Sequence, residues 1–190
     1  MPLIACQRGG RRQHGMSLIE LMVGLTIAAI LLLLAAPSYR DFIANAGVRS
    51  AAENTVNGLR RANAEAVKRN ATVRFALGST GWSVDEIDAD GNVLNAIESY
   101  KFAEGSSKSV ADSLAGGAAV TFNGLGRILT ANPGGDALIT DVQFTTAMTS
   151  DPRVLHVVVG NDKSATGIRL CDTKFASNDP SGCPAGISNR

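Results

Sequence analysis

The stretch GMSLIELMV, residues 15–23, decides the fold, and apolar residues continue from it as far as Ala36. A short basic segment precedes it, with three arginines and one histidine between positions 8 and 14. Glu20 is the single acid of the apolar run. A carboxylate placed in hydrocarbon costs several kcal/mol unless it is paired or lies near an interface. The run is therefore a candidate membrane helix in which Glu20 needs a partner.

Two interpretations of this stretch compete. A secretory signal, or a simple anchor of a periplasmic domain, also has a basic start and an apolar middle. The small-residue cleavage site of a secretory signal follows its apolar run, and Ala35-Ala36-Pro37 fits such a site poorly. Gly15, by contrast, precedes the run. If the chain is cut after Gly15, the apolar segment stays on the mature protein as its new N-terminus.

The spacing of Gly15, the string SLIELMV and the apolar tail resembles the class III leader of type IV pilins and type II secretion pseudopilins. The resemblance implies that a prepilin peptidase cuts after Gly15 and that the new first residue, Met16, is methylated. Many members carry phenylalanine where this chain has Met16, which is a tolerated variant. The resemblance also implies that Glu20 pairs with the terminal amine of a neighbouring subunit, because opposite charges make the burial of both groups tolerable.

The helix is predicted to continue far beyond the apolar run, to about Asn70. Pro37 removes one backbone donor, so we predict a kink there rather than an end. Apolar residues then recur at steps of three and four, which is typical of one buried stripe. The stripe consists of Val48, Ala52, Val56, Leu59, Ala62 and Ala66. Three glycines, Gly24, Gly47 and Gly58, are expected to be weak points of the helix.

After Asn70 the apolar period changes to two, which is typical of strands. Strands are predicted at 72–77, 82–87, 93–97, 119–122, 139–144, 153–159 and 168–170, with a short extended piece at 100–103 and a loop at 104–117. The predicted class is α+β and type IV pilin-like: a long N-terminal α-helix, first transmembrane and then amphipathic, packed on a C-terminal antiparallel β-sheet domain. Its expected parts are a cleaved leader at 1–15, a transmembrane and filament-core helix at 16–38, an amphipathic helix at 39–70 and a β-rich periplasmic head at 71–190.

The head resembles the GspH/FimT branch of this superfamily. The segments that carry the resemblance are Arg49-Ser50, residues 59–69, Gly81-Trp82-Ser83-Val84, Phe122-Asn123-Gly124 and Gly126-Arg127. Cys6 would be lost with the leader, so Cys171 and Cys183 are left as a pair, which in an exported domain indicates a disulfide. The ending Arg169-Leu170-Cys171, with Cys183 beyond it, is more similar to the minor pilins than to the secretion pseudopilins.

Catalytic and metal chemistry find little support in the sequence. We find no nucleophile motif, no phosphate loop and no metal-spaced histidine set, and His156 is expected to be a packed or surface residue. No enzyme activity, cofactor or metal is therefore predicted. Some minor pilins of this branch that serve DNA uptake share a Gly-Arg-x-Arg motif before the C-terminal cysteine. The matching segment, residues 166–169, keeps only Arg169, to which Lys163, Lys174 and Arg153 could add positive charge.

These features together predict a minor pilin. The protein would be inserted in the inner membrane with its head in the periplasm. The assembly platform would then incorporate it with other major and minor pilins into a type IV pilus, where it primes or caps the filament. The alternatives are an H-type minor pseudopilin of a type II secretion system and a DNA-binding minor pilin for natural transformation.

Overall fold

The computed structural model describes residues 16–78, 80–102, 110–115, 118–160 and 167–187. A long helix, α1, runs from Leu18 to Arg69. The chain divides into two compact units, and the division falls inside α1 between Tyr39 and Arg40. The helix continues through position 37, so Pro37 does not end it, and a kink there stays a prediction.

Asn70 ends α1. Its φ of 49° lies in the left-handed region, which asparagine tolerates better than most residues, and the Ala71 amide donates to the carbonyl of Ala66 over 3.1 Å. This terminal turn satisfies a free helix carbonyl and redirects the chain into the first strand. The predicted helix end near Asn70 is confirmed.

Within the described residues, eight strands form two antiparallel sheets. Sheet A has the order β3-β2-β1-β5 and contains β1 (Val73–Gly78), β2 (Gly81–Ile87), β3 (Val93–Lys101) and β5 (Ala119–Phe122). Sheet B has the order β4-β6-β7-β8 and contains β4 (Val110–Ala115), β6 (Asp141–Thr146), β7 (Leu155–Val159) and β8 (Ile168–Asp172). A short 3-10 turn, Pro133–Gly135, lies between β5 and β6.

The strand predictions are mostly confirmed, with two corrections. The predicted loop at 104–117 is wrong for residues 110–115, because these residues form β4 and pair with all of β6. Residues 100 and 101 belong to β3, which is longer than predicted. β4 obtains its hydrogen bonds from β6, which is not its neighbour in sequence, and the last residues of β3 pair with the start of β2; local composition shows neither pairing.

The core lies between α1 and the two sheets. All six residues of the predicted helix stripe are buried, and they contact buried side chains of both sheets. Five aromatic rings connect the sheets through this core with successive centroid distances between 5.7 and 6.2 Å: Phe75, Trp82, Tyr100, Phe102 and Phe144. Gly58 faces two of these rings, and a Cβ built on it would lie 2.8 Å from both Phe75 and Trp82.

Ion pairs fix the C-terminal part of α1 to sheet A. The buried Glu65 carboxylate accepts a hydrogen bond from Arg69 Nε over 2.8 Å, and Arg69 Nη1 lies 3.2 Å from Glu86 on β2. The Arg69 hydrogen bond holds the pKa of Glu65 below its ordinary value of 4.5, although desolvation opposes it. The Glu65 hydrogen bond likewise raises the pKa of Arg69. A second pair, Arg61 with Glu98 on β3 at 3.2 Å, joins the same faces.

Candidate assembly interface

The N-terminal part of α1 exposes a continuous apolar surface. Its segment Leu18–Ala35 has a mean hydropathy of 2.6 over 18 residues, and none of these residues is buried. At 1.5 Å per residue such a helix is about 27 Å long, close to the hydrocarbon thickness of a bilayer. An exposed apolar surface of this size marks an interaction site with lipid or with another protein. The segment can therefore serve as a membrane anchor and as a packing surface.

Glu20 lies in the first turn of α1. A carboxylate is favoured there because it faces the positive end of the helix dipole. Among the residues that the structure describes, Glu20 has no ion-pair or hydrogen-bond partner. Met16, four positions earlier, is exposed. The acid is thus free for a cation supplied from outside the described chain, whereas the proposed cleavage point Gly15 lies outside the described residues.

The disulfide closes the C-terminal tail on sheet B. Cys171 in β8 and Cys183 are bonded, with their Cα atoms 4.9 Å apart. Both cysteines are buried and form a small second core with Val158 and the partly buried Ile187. The tail therefore covers part of the sheet B face that points away from α1.

Arg169 holds the same tail by hydrogen bonds. Its Nη2 donates to the carbonyls of Pro180 over 2.7 Å and Gly182 over 2.6 Å, with a longer contact of 3.4 Å to Asp179. This nitrogen therefore forms its hydrogen bonds with carbonyl groups of the protein's own backbone. The residue predicted as the main DNA contact thus has a structural function.

The other DNA candidates that the structure describes are paired with acids. Arg153 Nε lies 3.0 Å from Asp172, and Lys174 Nζ lies 3.1 Å from Asp151. Lys163 lies outside the described residues. Phosphate affinity depends on the number of cations that engage the backbone of the nucleic acid, and local pairing reduces that number. DNA binding by these residues stays a prediction.

A buried histidine–aspartate pair was missed from the sequence. His156 on β7 is fully buried, as the packed alternative predicted, and its Nδ1 lies 2.9 Å from Asp141 Oδ1 on β6. Its Nε2 has no hydrogen-bond partner among the described residues. Only the register of β6 and β7 predicts this pair: His156 lies opposite Gln143, so Asp141, two residues before Gln143, is its diagonal neighbour. In the part of the chain that the structure describes, no group of three or more potential metal ligands is found.

Comparison with known families identifies the chain. The model of a family described as type II transport protein GspH matches residues 51–163, which is more than half of the 190 residues. The chain belongs to the GspH family. A second model, the prokaryotic N-terminal methylation motif, matches residues 10–36. For a GspH-family chain this motif implies processing by prepilin peptidase and assembly with other pilins, and the apolar helix indicates a membrane anchor.

Two solved structures are similar to this GspH-family chain. Both are crystal structures of the type IV minor pilin FimU from Pseudomonas aeruginosa strain PAO1, in space groups P21 and P65. The first has 18% sequence identity and a TM-score of 0.45, and the match covers 67% of this chain and 90% of FimU. The second has 17% identity and a TM-score of 0.41, with 66% and 93% covered.

Proposed function

We propose that this protein is a minor pilin of a type IV pilus. It is cut after Gly15, methylated at Met16, held in the inner membrane with its head in the periplasm, and assembled into the filament, where it primes or caps assembly. The observation that carries this proposal is the exposed apolar segment Leu18–Ala35 with Glu20 in the first turn of α1, where the described residues supply no ion-pair partner for its carboxylate. The same surface packs against lipid before assembly and against neighbouring helices afterwards.

Glu20 acts in assembly by charge pairing. The cut creates a terminal amine on Met16, and the amine of an adjacent subunit neutralises Glu20 when both enter the apolar filament core. Leaving either charge buried alone costs several kcal/mol, so the pair selects one axial position of the incoming subunit. Before assembly, the apolar segment can lie in the membrane without this pairing. Glu20 is then near the membrane interface, because it lies at the end of the segment.

A type II secretion pseudopilin is the second candidate. The description of the family model that matches residues 51–163, a type II transport protein, favours it. The Cys171–Cys183 disulfide favours a function in the pilus, because the sequence ending that carries these two cysteines resembles that of the minor pilins. Deleting the gene distinguishes the two: loss of surface pili with normal protein secretion supports the pilus, and the converse supports secretion.

The processing step is tested by mass spectrometry of the protein extracted from membranes. We expect an N-methylated Met16 terminus, and Gly15→Ala retains the leader. An intact Met1 terminus or a cut near Ala36 would refute the pilin function.

Glu20→Val is expected to leave the protein folded and membrane-bound but to reduce its incorporation into sheared filaments. Glu20→Asp keeps the charge and serves as the matched control; normal incorporation of Glu20→Val contradicts the charge pairing.

A further inference from the structure

The buried pair of His156 and Asp141 lies beside the disulfide. His156 and Cys171 are opposite one another in the register of β7 and β8, and opposite residues of an antiparallel pair point to the same face of the sheet. Val158, two residues further along β7, shares that face and packs against Cys171 and Cys183. His156 and both cysteines therefore belong to one buried layer between sheet B and the tail.

The imidazole ring of His156 has a defined orientation. Its Nδ1 lies 2.9 Å and 3.0 Å from the two carboxylate oxygens of Asp141 on β6. A carboxylate only accepts hydrogen bonds, so Nδ1 donates, and the neutral ring then has its lone pair at Nε2. β7 lies between β6 and β8 in sheet B. Because the Nδ1 edge of the ring turns to β6, the opposite edge, with Nε2, turns to the side of β8 that carries Cys171.

Nε2 of His156 is an acceptor without a hydrogen bond. The side chain is fully buried, and Nε2 has no hydrogen-bond partner among the described residues. A buried polar atom without a partner destabilises the fold, so its presence needs an explanation. In the disulfide, the Cys171 sulfur is bonded to Cys183 and has no proton to donate.

The reduced protein supplies the missing donor. Once the disulfide is open, Cys171 carries a thiol, and its side chain can rotate about the Cα–Cβ bond. Opposite Cβ atoms of an antiparallel pair are about 4.5 to 5.5 Å apart, which brings this thiol within reach of the imidazole. The partner of Nε2 therefore exists only before the disulfide forms.

We propose that His156 is the proton acceptor for the formation of the Cys171–Cys183 disulfide, and that Asp141 positions it. Cys171 belongs to β8 and stays beside His156 in the sheet, whereas Cys183 lies in the irregular tail and can meet an oxidant before the tail docks. The thiolate is the nucleophile, and a buried thiol ionises poorly by itself. A base beside it converts Cys171 into a nucleophile.

The disulfide forms in two exchanges with a disulfide oxidant. In the first, Cys183 gives up its thiol proton and attacks the oxidant, and a mixed disulfide forms while one oxidant sulfur leaves as a thiol. In the second, Nε2 takes the proton of Cys171, and the Cys171 thiolate attacks the sulfur of Cys183. The bond between Cys183 and the oxidant breaks, and the leaving sulfur takes the proton from Nε2. The two cysteines lose two electrons and two protons, the oxidant gains them, and His156 returns to its first state.

The other charged groups of this face cannot replace His156. Among the described residues, the face carries Asp141 on β6, Cys171 and Arg169 on β8, and Cys183 from the tail. The guanidinium group of Arg169 stays protonated and donates to tail carbonyls, so it cannot accept a thiol proton. The Asp141 carboxylate accepts from Nδ1.

The rate of disulfide formation tests this step. The full chain carries Cys6→Ser, so that only two cysteines remain, and is reduced in detergent, mixed with oxidised glutathione and quenched with an alkylating agent. Mass spectrometry follows the conversion of the glutathione adduct of Cys183 into the Cys171–Cys183 disulfide. An ordinary thiol is only about 3% ionised at pH 7, and a more ionised thiol is somewhat less nucleophilic. We therefore expect His156→Gln to slow the conversion about three- to tenfold at pH 7.

The pH dependence separates proton transfer from packing. At about pH 9.5 thiols ionise without a base, so His156→Gln should convert as fast as the wild type. Asp141→Asn removes the carboxylate that positions the ring, and we expect a smaller slowing at pH 7 with the same recovery at high pH. Phe144→Leu is the control for lost stability alone, because Phe144 is buried on the core face of β6. It should lower the melting temperature and leave the pH dependence unchanged.

Three results would overturn the proposal. The first is a His156→Gln chain that converts as fast as the wild type at pH 7. The second is a slowing of equal size at neutral and high pH, which would assign His156 to packing alone. The third needs no variant and holds even where His156→Gln fails to fold: the wild-type rate should rise less than about threefold between pH 7 and pH 8, and the tenfold rise of an unassisted thiol would refute the base.

Discussion

Gly58→Ala is expected to destabilise the head, although alanine is the better helix former. The added methyl group would lie 2.8 Å from ring atoms of Phe75 and Trp82, closer than real Cβ contacts are found. Both rings are buried and belong to the aromatic series of the core, so neither can move aside without disturbing its next neighbour. The substitution therefore forces the helix and sheet A apart.

The magnitude follows from two opposing contributions. Replacing glycine by alanine inside a helix stabilises it by up to about 1 kcal/mol. Overpacking a well-filled core costs about 1 to 3 kcal/mol. Three ring contacts fall below 3.0 Å, which places the overpacking cost in the upper part of this range, about 2 to 3 kcal/mol, and above the gain in helix propensity. We expect a net loss of about 1 to 2 kcal/mol, which lowers the melting temperature of a domain of this size by about 3 to 6 °C.

The assay is thermal unfolding of the full chain in detergent, followed by tryptophan fluorescence. Trp82 is the single tryptophan of the chain and one of the two clashing rings, so the signal reports directly on the contact. Asn57→Ala, an exposed neighbour on the same helix, is the control and should change stability by no more than about 0.5 kcal/mol. A Gly58→Ala protein as stable as the wild type would refute the reasoning.

Three further predictions concern the tail and the helix–sheet ion pairs. Arg169→Ala removes the donor of the tail carbonyls and should lower stability by about 1 to 3 kcal/mol while leaving a DNA gel shift unchanged; weaker DNA binding at equal stability would contradict this structural function. Cys171→Ser removes the disulfide between two cysteines that are 12 residues apart, and should lower the free energy of unfolding by about 3 kcal/mol. Chemical unfolding of the variant and the wild type under oxidising conditions measures this loss, and equal unfolding midpoints would count against it. The Arg69 hydrogen bond lowers the pKa of Glu65, so its contribution is present above about pH 4.5 and is lost as the pH falls further. Glu65→Gln should therefore flatten the decline of melting temperature on acidification, and an unchanged acid slope would argue against this contribution.

The long helix and most strands could be predicted because their patterns are local. The apolar run after Gly15 and the three-and-four stripe that includes Val48 and Leu59 each indicate a helix without knowledge of distant contacts. The Cys171–Cys183 pair followed from counting cysteines once the leader was set aside.

The features that were missed depend on distant partners. Residues 110–115 lack a strong strand pattern and form β4 through pairing with β6. Gly58 was expected to be a weak point of the helix, but its missing side chain lets α1 approach Phe75. The Arg169 contacts need the exact path of the tail carbonyls, and the Asp141–His156 pair needs the register of two strands, which no local pattern in the sequence specifies.

The tail contacts also have a consequence for the order of oxidative maturation. The carbonyl of Gly182, which accepts from Arg169, belongs to the residue directly before Cys183, and the Asp172 amide donates to Ser181 in the same segment. In the folded head these polar contacts hold the Cys183 segment beside Cys171, and we expect them to do the same in the reduced chain once β8 has joined sheet B. The effective concentration of one thiol near the other is then high, so oxidation becomes an intramolecular closure that competes well with mispairing between chains. Replacing Arg169 should thus slow the formation of the disulfide in a newly exported chain, even where the finished bond is equally stable.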